Sequence, residues 1–509
     1  MMKMLRSFLG KHGMLIVMGM AILVVLPLRL AITLPAHVVT PWHLMAVGAI
    51  PLVLIVMMKM HLSFLGVDVK NDALIGIFVG LTQAMAFSRS FIYILLMISP
   101  TAILAGGFQV NLQGQKQIGM GHTGTALIMG PSSSFFNPGA FSFLETNSIA
   151  LGACFIIPRT QYLEPSPGIY TTETEKGVGT PFTLYSSFRP GKVYGKKDSL
   201  GHRDKKVSNW NIGFAVYTPF GSGIKYPDDW KGQFVLREMK LTTIFLQTTI
   251  AYKINDKIGV GIAYIYALGS FKLRKGVPVQ NQQSEYGEGE LEAKGSGHGF
   301  NAGLYIKAND KLSFGLSYRS SVKFKAEDGS ASFSVPSSLK EYFPNTSFNA
   351  TINLPSVTNF GIAVIPKKNL TIAFDINYVG WSIYDSLNID FEENTEKLED
   401  INSARNYKNV FAFRLGAQYL VKENVTIRAG AYYDMTPVPD GYLTPETPGT
   451  NKVGITVGAS FKLSEHYNLD LSFLYIEGAK RTDINLETGF GGTWKSRAYV
   501  PGFALQYIF

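Results

Sequence analysis

Long stretches of the chain alternate strictly between apolar and polar or small positions. Leu370, Ile372, Phe374, Ile376 and Tyr378 interleave with Thr371, Ala373, Asp375 and Asn377. Phe411, Phe413, Leu415, Ala417 and Tyr419 interleave with Ala412, Arg414, Gly416 and Gln418. The pattern returns at Val453–Phe461 and Leu469–Tyr475, and it closes the chain as Phe503, Leu505, Tyr507 and Phe509. A period of two with one greasy face predicts strands, and a terminal aromatic at the end of such a strand fits the interfacial girdle of a transmembrane barrel. Weaker segments near 147–157, 182–188, 210–219, 236–252, 257–272, 297–307, 311–325 and 351–365 bring the expectation to roughly fourteen antiparallel strands.

The connections fall into two classes. Pro366–Asn369, Lys422–Asn424 and Ser464–His466 are short polar turns. Lys275–Gly297, Glu327–Asn349, Asp385–Tyr407, Thr436–Asn451 and Glu477–Ser496 are long and fall on the other side. Short turns on one side and long loops on the other are the habit of outer-membrane barrels. A soluble sandwich or propeller predicts neither that asymmetry nor the aromatic terminal strand. Arg189–Ser208 breaks the rule, being long and basic where a short turn is expected.

The first hundred residues are a different kind of sequence. Met14–Leu34, Leu44–Met58 and Ala73–Leu81 are apolar runs that read as membrane helices, with Lys3, Arg6 and Lys11 at the start. From Met85 the chain has Arg89, an apolar stretch Phe91–Ile98 and Thr101–Ala105 ahead of Gly106, which together form a secretory signal peptide. Two readings stand for 1–84: an anchor fused to the barrel, or a segment upstream of a true start at Met85. The second is preferred, because apolar helices would lodge a barrel in the wrong membrane. The expected organisation is 1–84 hydrophobic helical segment, 85–105 signal peptide, 106–146 plug and 147–509 barrel.

Composition agrees. Hydrophobic residues make up 46% and charged residues 17%, a moderate balance that alternation produces. The net charge of +10 is spread along the chain, with no basic stripe interleaved with aromatics, so nucleic acid is not an expected partner. Cys154 is the single cysteine, which excludes an internal disulfide, and its apolar surroundings suit a packed or lipid-facing thiol. His122, His202, His298 and His466 are scattered without metal-ligand spacing, and no nucleophile elbow is present. Neither a cofactor, a metal nor an enzyme activity is expected.

Three stretches carry a family resemblance. They are Gly107–Asn111 with Gly119–Ala126 and Phe136-Asn137-Pro138-Gly139-Ala140; Val216–Gly221 with Tyr226–Gly232; and Gly430–Asp440 ahead of Pro445 and Pro448. In this order, before a terminal Phe, they resemble the FadL-type outer-membrane transporters of hydrophobic compounds, which include TodX-like aromatic-hydrocarbon channels. The resemblance covers 106–509. It implies a fourteen-stranded barrel blocked by an N-terminal plug, an apolar cargo captured between outer loops, and passive release through a gap where a strand kinks inward. Long-chain fatty acids are the first cargo implied and aromatic hydrocarbons the second. It also implies a monomer in outer-membrane lipid whose Phe509 is read by the barrel-assembly machinery. Gly139 stands where the family motif has Ala.

On that reading Gly107, Asn137, Pro138 and Gly139 shape the plug and its gating, and Phe333, Leu339 and Phe343 belong to a capture loop. Phe108, Leu112 and Phe136 either line the ligand pocket or form plug core. Arg414 and Arg428 face the lumen, where they either bind a ligand carboxylate or pair with Asp375, Asp470 or plug backbone. The alternative to transport is a surface-binding or adhesion barrel with the same fold.

Overall fold

The computed structural model describes residues 107–190, 192–197 and 203–509. The apolar runs within 1–84 and the signal peptide of 85–105 lie outside the described residues. Three single-turn helices come first: α1 (Gln115–Ile118), α2 (Ser133–Phe136) and α3 (Pro138–Phe141). Strands follow. β1 (Ser148–Cys154) and β2 (Ile157–Leu163) run away from the short-turn end, β3 (Thr171–Glu173) folds back on β2, and β4 (Phe182–Phe188) returns. β5 (Lys192–Lys197) and β6 (Arg203–Val207) pair only with each other, so the long basic stretch is a separate hairpin at the short-turn end.

β7 (Trp210–Tyr217) and β8 (Gly221–Lys225) are two halves of one wall strand, since both pair with β9 (Glu238–Lys253). β10 (Ile258–Gln280), β11 (Tyr286–Asn309), β12 (Leu312–Arg319), β13 (Val322–Ser334), β14 (Thr346–Leu354), β15 (Ser356–Lys367) and β16 (Leu370–Gly380) come next. The remainder are β17 (Ser386–Phe391), β18 (Ile401–Ala404), β19 (Val410–Lys422), β20 (Val425–Asp434), β21 (Lys452–Lys462), β22 (Tyr467–Gly478), β23 (Arg481–Ile484) and β24 (Gly491–Ile508).

Fourteen of these close a cylinder in the order β1, β4, β7, β9, β10, β11, β12, β15, β16, β19, β20, β21, β22, β24 and back to β1, every pair antiparallel. Closure gives each wall strand a neighbour on both sides, which is what makes strands viable in lipid. The alternation reads as expected. Phe411, Phe413 and Leu415 are exposed on the outer surface, while Ala412 and Arg414 between them are buried. At the chain end Phe503 and Leu505 point out and Ala504 and Gln506 point in. Among the described residues no helix is long and apolar enough to cross a membrane.

The long-loop side departs from expectation. Lys275–Gly297 is not a long loop but largely strand. β10 and β11 stay paired up to Val277↔Gly287, and the chain turns only around Asn281–Glu285. Glu327–Asn349 is likewise largely strand, β13 pairing with β14 from Val322↔Leu354 to Ala331↔Thr346. The barrel thus continues well beyond its wall as a raised collar. Arg274 binds it to the 228–237 turn: its guanidinium contacts Glu288 at 2.7 Å and Glu238 at 3.1 Å, and Arg237 reaches the same Glu288 at 2.9 Å. Burial alone would raise the Glu288 carboxyl, but hydrogen bonds and charge from Arg274 and Arg237 outweigh it and hold it below the usual carboxylate range. A depressed carboxylate stabilises above its unfolded pKa and stops doing so as pH falls through its folded value. Amide exchange in 228–237 is therefore expected to be slow at neutral pH. Its protection, taken relative to the unstructured chain at the same pH, should fall only as pH drops below the ordinary glutamate value of about 4.3.

Candidate functional site

Residues 107–144 sit inside the cylinder, held by polar groups that point inward from the wall. Asp375 on β16 is the strongest clamp. Its Oδ2 accepts the Gly124 N–H (2.8 Å), the Thr125 N–H (2.9 Å) and the Thr125 hydroxyl (2.8 Å). Asn137 caps α3 by accepting the Gly139 N–H at 2.8 Å. Its amide donates to the Thr125 carbonyl (2.8 Å) and to the Leu304 carbonyl of β11 (2.9 Å). Pro138 starts α3 at its first position, where its missing N–H costs nothing. Asn211 donates to the carbonyls of Phe141, Ser142 and Leu144, and Arg319 donates to that of Phe135 at 2.8 Å. The backbones approach so closely that side chains are excluded at the crossings. A Cβ on Gly416 would lie 2.0 Å from the Met120 carbonyl oxygen, and one on Gly303 would lie 2.1 Å from Asn137 Oδ1.

The first six described residues are held differently. Gln109 bridges Phe220 in antiparallel fashion, with the Val110 N–H on the Pro219 carbonyl (2.8 Å) and the Gly221 N–H on the Phe108 carbonyl (2.9 Å). Pro219 lies at the break between β7 and β8, where a residue lacking an N–H ends ladder pairing. Gln113 adds side-chain hydrogen bonds to the carbonyls of Val110 (2.8 Å) and Thr218 (3.0 Å). The N-terminal end of the inner segment is thus a short strand zipped onto a kink in the wall.

The wall opens beside that kink. β4 pairs with β7 only as far as Leu184↔Val216, and with β1 only as far as Phe182↔Ala153. Beyond them the free edge of β8 meets the plug residue Phe108 through Gly221, and the 171–176 segment through a Glu175 N–H to Lys225 carbonyl bond of 2.8 Å. A cavity of about 150 Å³ lies there, lined by Pro158, Thr160, Gly177, Gly223, Ile224 and Met239 among others. Its lining combines the charged Glu175, Lys176, Lys225, Glu238 and Lys240 with the buried Ile224, Met239 and Ser496, at the unpaired edge of the wall.

Above the zipped strand lies a packed aromatic cluster. Phe108 makes edge contacts with Trp381 (4.8 Å), Tyr384 (5.3 Å) and Phe220 (6.2 Å), and Tyr407 joins Trp381 and Tyr384. Gly107, in the left-handed region at φ 67°, packs under the Trp381 ring. The Trp381 indole N–H has no hydrogen-bond partner among the described residues. Arg405 enters the same region from the 405–407 turn, already paired with Glu446 at 2.5 Å.

The residues singled out in the sequence therefore separate. Phe108 packs in the aromatic cluster. Leu112 packs in a second apolar cluster with Val110, Ile118, Ile156 and Tyr432. Phe136 lies deeper, against Phe135 (5.0 Å) and His122 (4.8 Å). Arg414 sits opposite Asp375 across the ladder, donates to Asn377 and lies over the Tyr432 ring at 5.1 Å. Arg428 donates to Gln418 (3.3 Å) and Ser460 (2.6 Å). Both arginines belong to wall networks apart from the aromatic cluster. Phe333 and Phe343 meet at 5.9 Å at the tip of the β13–β14 hairpin, next to the turn that holds Leu339. Cys154 is buried and accepts a hydrogen bond from Gln115 at 3.1 Å. Phe220, Trp381, Tyr384 and Tyr407 escaped the sequence reading. Pro219 inside a wall strand was the available signal for the first of them, and the carboxylate of Asp375 inside a spanning strand was the signal for the clamp.

Comparison with known proteins places this geometry. Residues 96–509 match the family described as outer membrane protein transport protein (OMPP1/FadL/TodX). The chain is 22% identical to the long-chain fatty acid transport protein of Salmonella typhi, over 84% of this chain and 100% of that one. It is 21% identical to outer membrane protein P1 of Haemophilus influenzae, over 83% and 99% respectively. The crystal structure of a Pseudomonas aeruginosa FadL homologue superimposes with a TM-score of 0.67 at 16% identity, covering 79% of this chain and 99% of that one. The P. putida toluene transporter TodX does so with a TM-score of 0.58 at 15% identity, over 80% and 99%.

Proposed function

Because the chain belongs to the OMPP1/FadL/TodX family of bacterial outer-membrane transporters for hydrophobic compounds, we propose that it imports apolar small molecules passively through a lateral opening beside β8. The observation that carries this reading is the short strand Phe108–Val110, zipped onto the kink at Thr218–Phe220 between the aromatic cluster and the wall cavity. Cargo enters from the collar, where Phe333, Leu339 and Phe343 offer apolar surface, and settles against Phe108, Phe220 and Trp381. Ring edges and faces suit an alkyl chain or an aromatic ring equally. Arg405 is already neutralised by Glu446, so the cluster favours the apolar body of a cargo, with the Trp381 N–H available to a polar end.

Release needs the two backbone hydrogen bonds and the Gln113 tie to Thr218 to part. Once Val110 leaves Pro219, cargo held among these rings reaches the cavity at Gly223 and passes into the membrane. A water-filled pore offers a fatty chain no such route, because each exposed methylene is unfavourable. No energy source is required. Long-chain fatty acids are the first cargo to test and aromatic hydrocarbons the second.

The test is uptake of labelled oleate and labelled toluene by cells lacking their own route, with the wild type against Gly223→Trp, whose indole fills the mouth of the opening. Wild-type uptake of at least one cargo, reduced to empty-vector level by Gly223→Trp with the barrel still folded, is expected. Failure of the wild type to import either would sink transport and leave a binding barrel. Undiminished uptake by the variant would sink the lateral route.

A further inference from the structure

The proposed route lies at the other end of β4 and β7 from Arg189–Ser208, the connection that is long where its neighbours are short turns. That stretch is also where the charge is. Residues 106–509 hold 40 Lys and Arg against 35 Asp and Glu, and outside 189–208 the two kinds number 33 each. The whole net charge of plug and barrel therefore lies within twenty residues, in which seven basic side chains face only Asp198 and Asp204 in the count. A run of this kind is a candidate for binding an anionic partner.

The hairpin leaves the wall at the level of the aromatic girdle. Phe188 ends β4 and Trp210 begins β7, both are exposed on the outer surface, and Trp210 packs on Tyr252 at 4.7 Å. Exposed rings at the end of a wall strand mark the height where hydrocarbon gives way to headgroups. Arg189 fastens the base one residue farther on: its backbone N–H donates to Asn147 (2.8 Å) and its Nε–H to the Ser208 carbonyl (2.5 Å). Beyond it β5 and β6 pair with each other and, among the described residues, with no third strand. In their register Tyr194 stands opposite Lys205 and Val193 opposite Lys206, so basic positions fall on both faces and neither face is an apolar one. Lysines along free edges also discourage a further strand from adding. The acids nearby are already engaged: Glu145 acts on Arg189 at the base, Asp256 holds Lys253 at 2.6 Å and Asp310 holds Lys307 at 2.7 Å. Past the base, six basic residues against two aspartates leave the hairpin strongly positive just beyond the girdle.

We propose that the β5–β6 hairpin is a docking element for the acidic phospholipids of the periplasmic leaflet. Its position selects them: a polybasic segment that starts at the girdle meets phosphodiester headgroups first, and each Lys or Arg near such a surface contributes about 1 kcal/mol. An acidic protein partner would instead find no apolar face to bury and edges that resist pairing. The strands that carry the hairpin, β4 and β7, are the same two that part higher up at the wall opening, so the lipid tie and the opening share one strand pair.

The test is native mass spectrometry of the purified barrel in mild detergent with equimolar phosphatidylglycerol and phosphatidylethanolamine of the same acyl chains. The wild type is compared with Lys192→Gln/Lys196→Gln/Lys205→Gln/Lys206→Gln and with an outer-end control that removes as many charges, Lys294→Gln/Lys323→Gln/Lys325→Gln/Lys340→Gln. The wild type and the control should retain phosphatidylglycerol in preference. The hairpin variant should lose that preference by at least about ten-fold, since one lysine near an anionic surface is worth roughly five-fold. Heat-modified gel mobility reports folding of each variant. If the hairpin variant does not fold, the wild-type preference should still weaken as salt rises, and a salt-independent preference would overturn the proposal. No preference in the wild type, or an undiminished one in the folded hairpin variant, would also overturn it. Lysine-dependent sedimentation with purified peptidoglycan in the absence of any lipid preference would assign the hairpin to the wall polymer, and the proposal would again be wrong.

Discussion

Cysteines placed at Gln109 and Phe220 are expected to make uptake switchable by redox state. These residues are a facing pair in an antiparallel bridge whose flanking hydrogen bonds run from Val110 to Pro219 and from Gly221 to Phe108. They are therefore a non-hydrogen-bonded pair, whose Cα atoms lie about 4.5 Å apart, within the range a disulfide spans. Oxidation of Gln109→Cys/Phe220→Cys would weld the inner segment to the kinked strand, and uptake should fall to the empty-vector level. Dithiothreitol should restore it within the same preparation, which separates the weld from the loss of the Phe220 ring. Cys154 is buried against Gln115 and should remain a bystander, and a Cys154→Ser background removes it from consideration. Equal uptake by the oxidised and reduced forms would mean that the N-terminal strand need not move, and the release step proposed above would be wrong.

The difference between what could be read from the chain and what could not follows from how local each feature is. Outward Phe411, Phe413 and Leu415 against inward Ala412 and Arg414 form a pattern within one strand, and so it was legible. The side of each connection was legible too, because turn length is local. The collar was not, although Glu288, Glu290 and Glu292 alternate with Gly287, Gly289 and Leu291 as a strand should. There the polar residues face water rather than lumen, and glycine hides the periodicity. The wall opening is less local still. Pro219 announces a break, but whether a break becomes a hole depends on where β4 stops pairing, and β4 is set by its register with β1 and β7. Likewise Trp381 meets Phe108, and Tyr407 meets Trp381, only because the end of β16 and the 405–407 segment lie across the lumen from Phe108. Arg414 and Arg428 show the converse. Their lumen-facing register was legible, but the partners that occupy them, Asn377, Gln418 and Ser460, come from neighbouring strands.

Loss of the Asp375 and Asn137 grips is expected to turn a closed barrel into a conducting one. Both side chains hold the same residue, Asp375 through the Thr125 N–H and hydroxyl, and Asn137 through the Thr125 carbonyl. Asp375 is buried, and its replacement by Ala leaves two backbone N–H groups and a hydroxyl without an acceptor, at a cost of about 3 kcal/mol. Asn137→Ala removes the α3 cap together with the tie to Leu304, bringing the pair to about 5 kcal/mol, with sub-additivity expected because the two share a partner. The wall itself keeps its ladder, so heat-modified mobility should persist while the segment around Thr125 becomes open to protease. In planar bilayers the double variant should show steady ion conductance where the wild type is silent, with Asp375→Asn intermediate because one carbonyl oxygen remains to accept. A folded double variant that stays silent would show that the remaining ties, from Asn211, Arg319 and Gln247, suffice to seal the lumen. In that event Asp375 would be one clamp among many, and the closed state would owe more to the backbone crossings at Gly303 and Gly416 than to any single carboxylate.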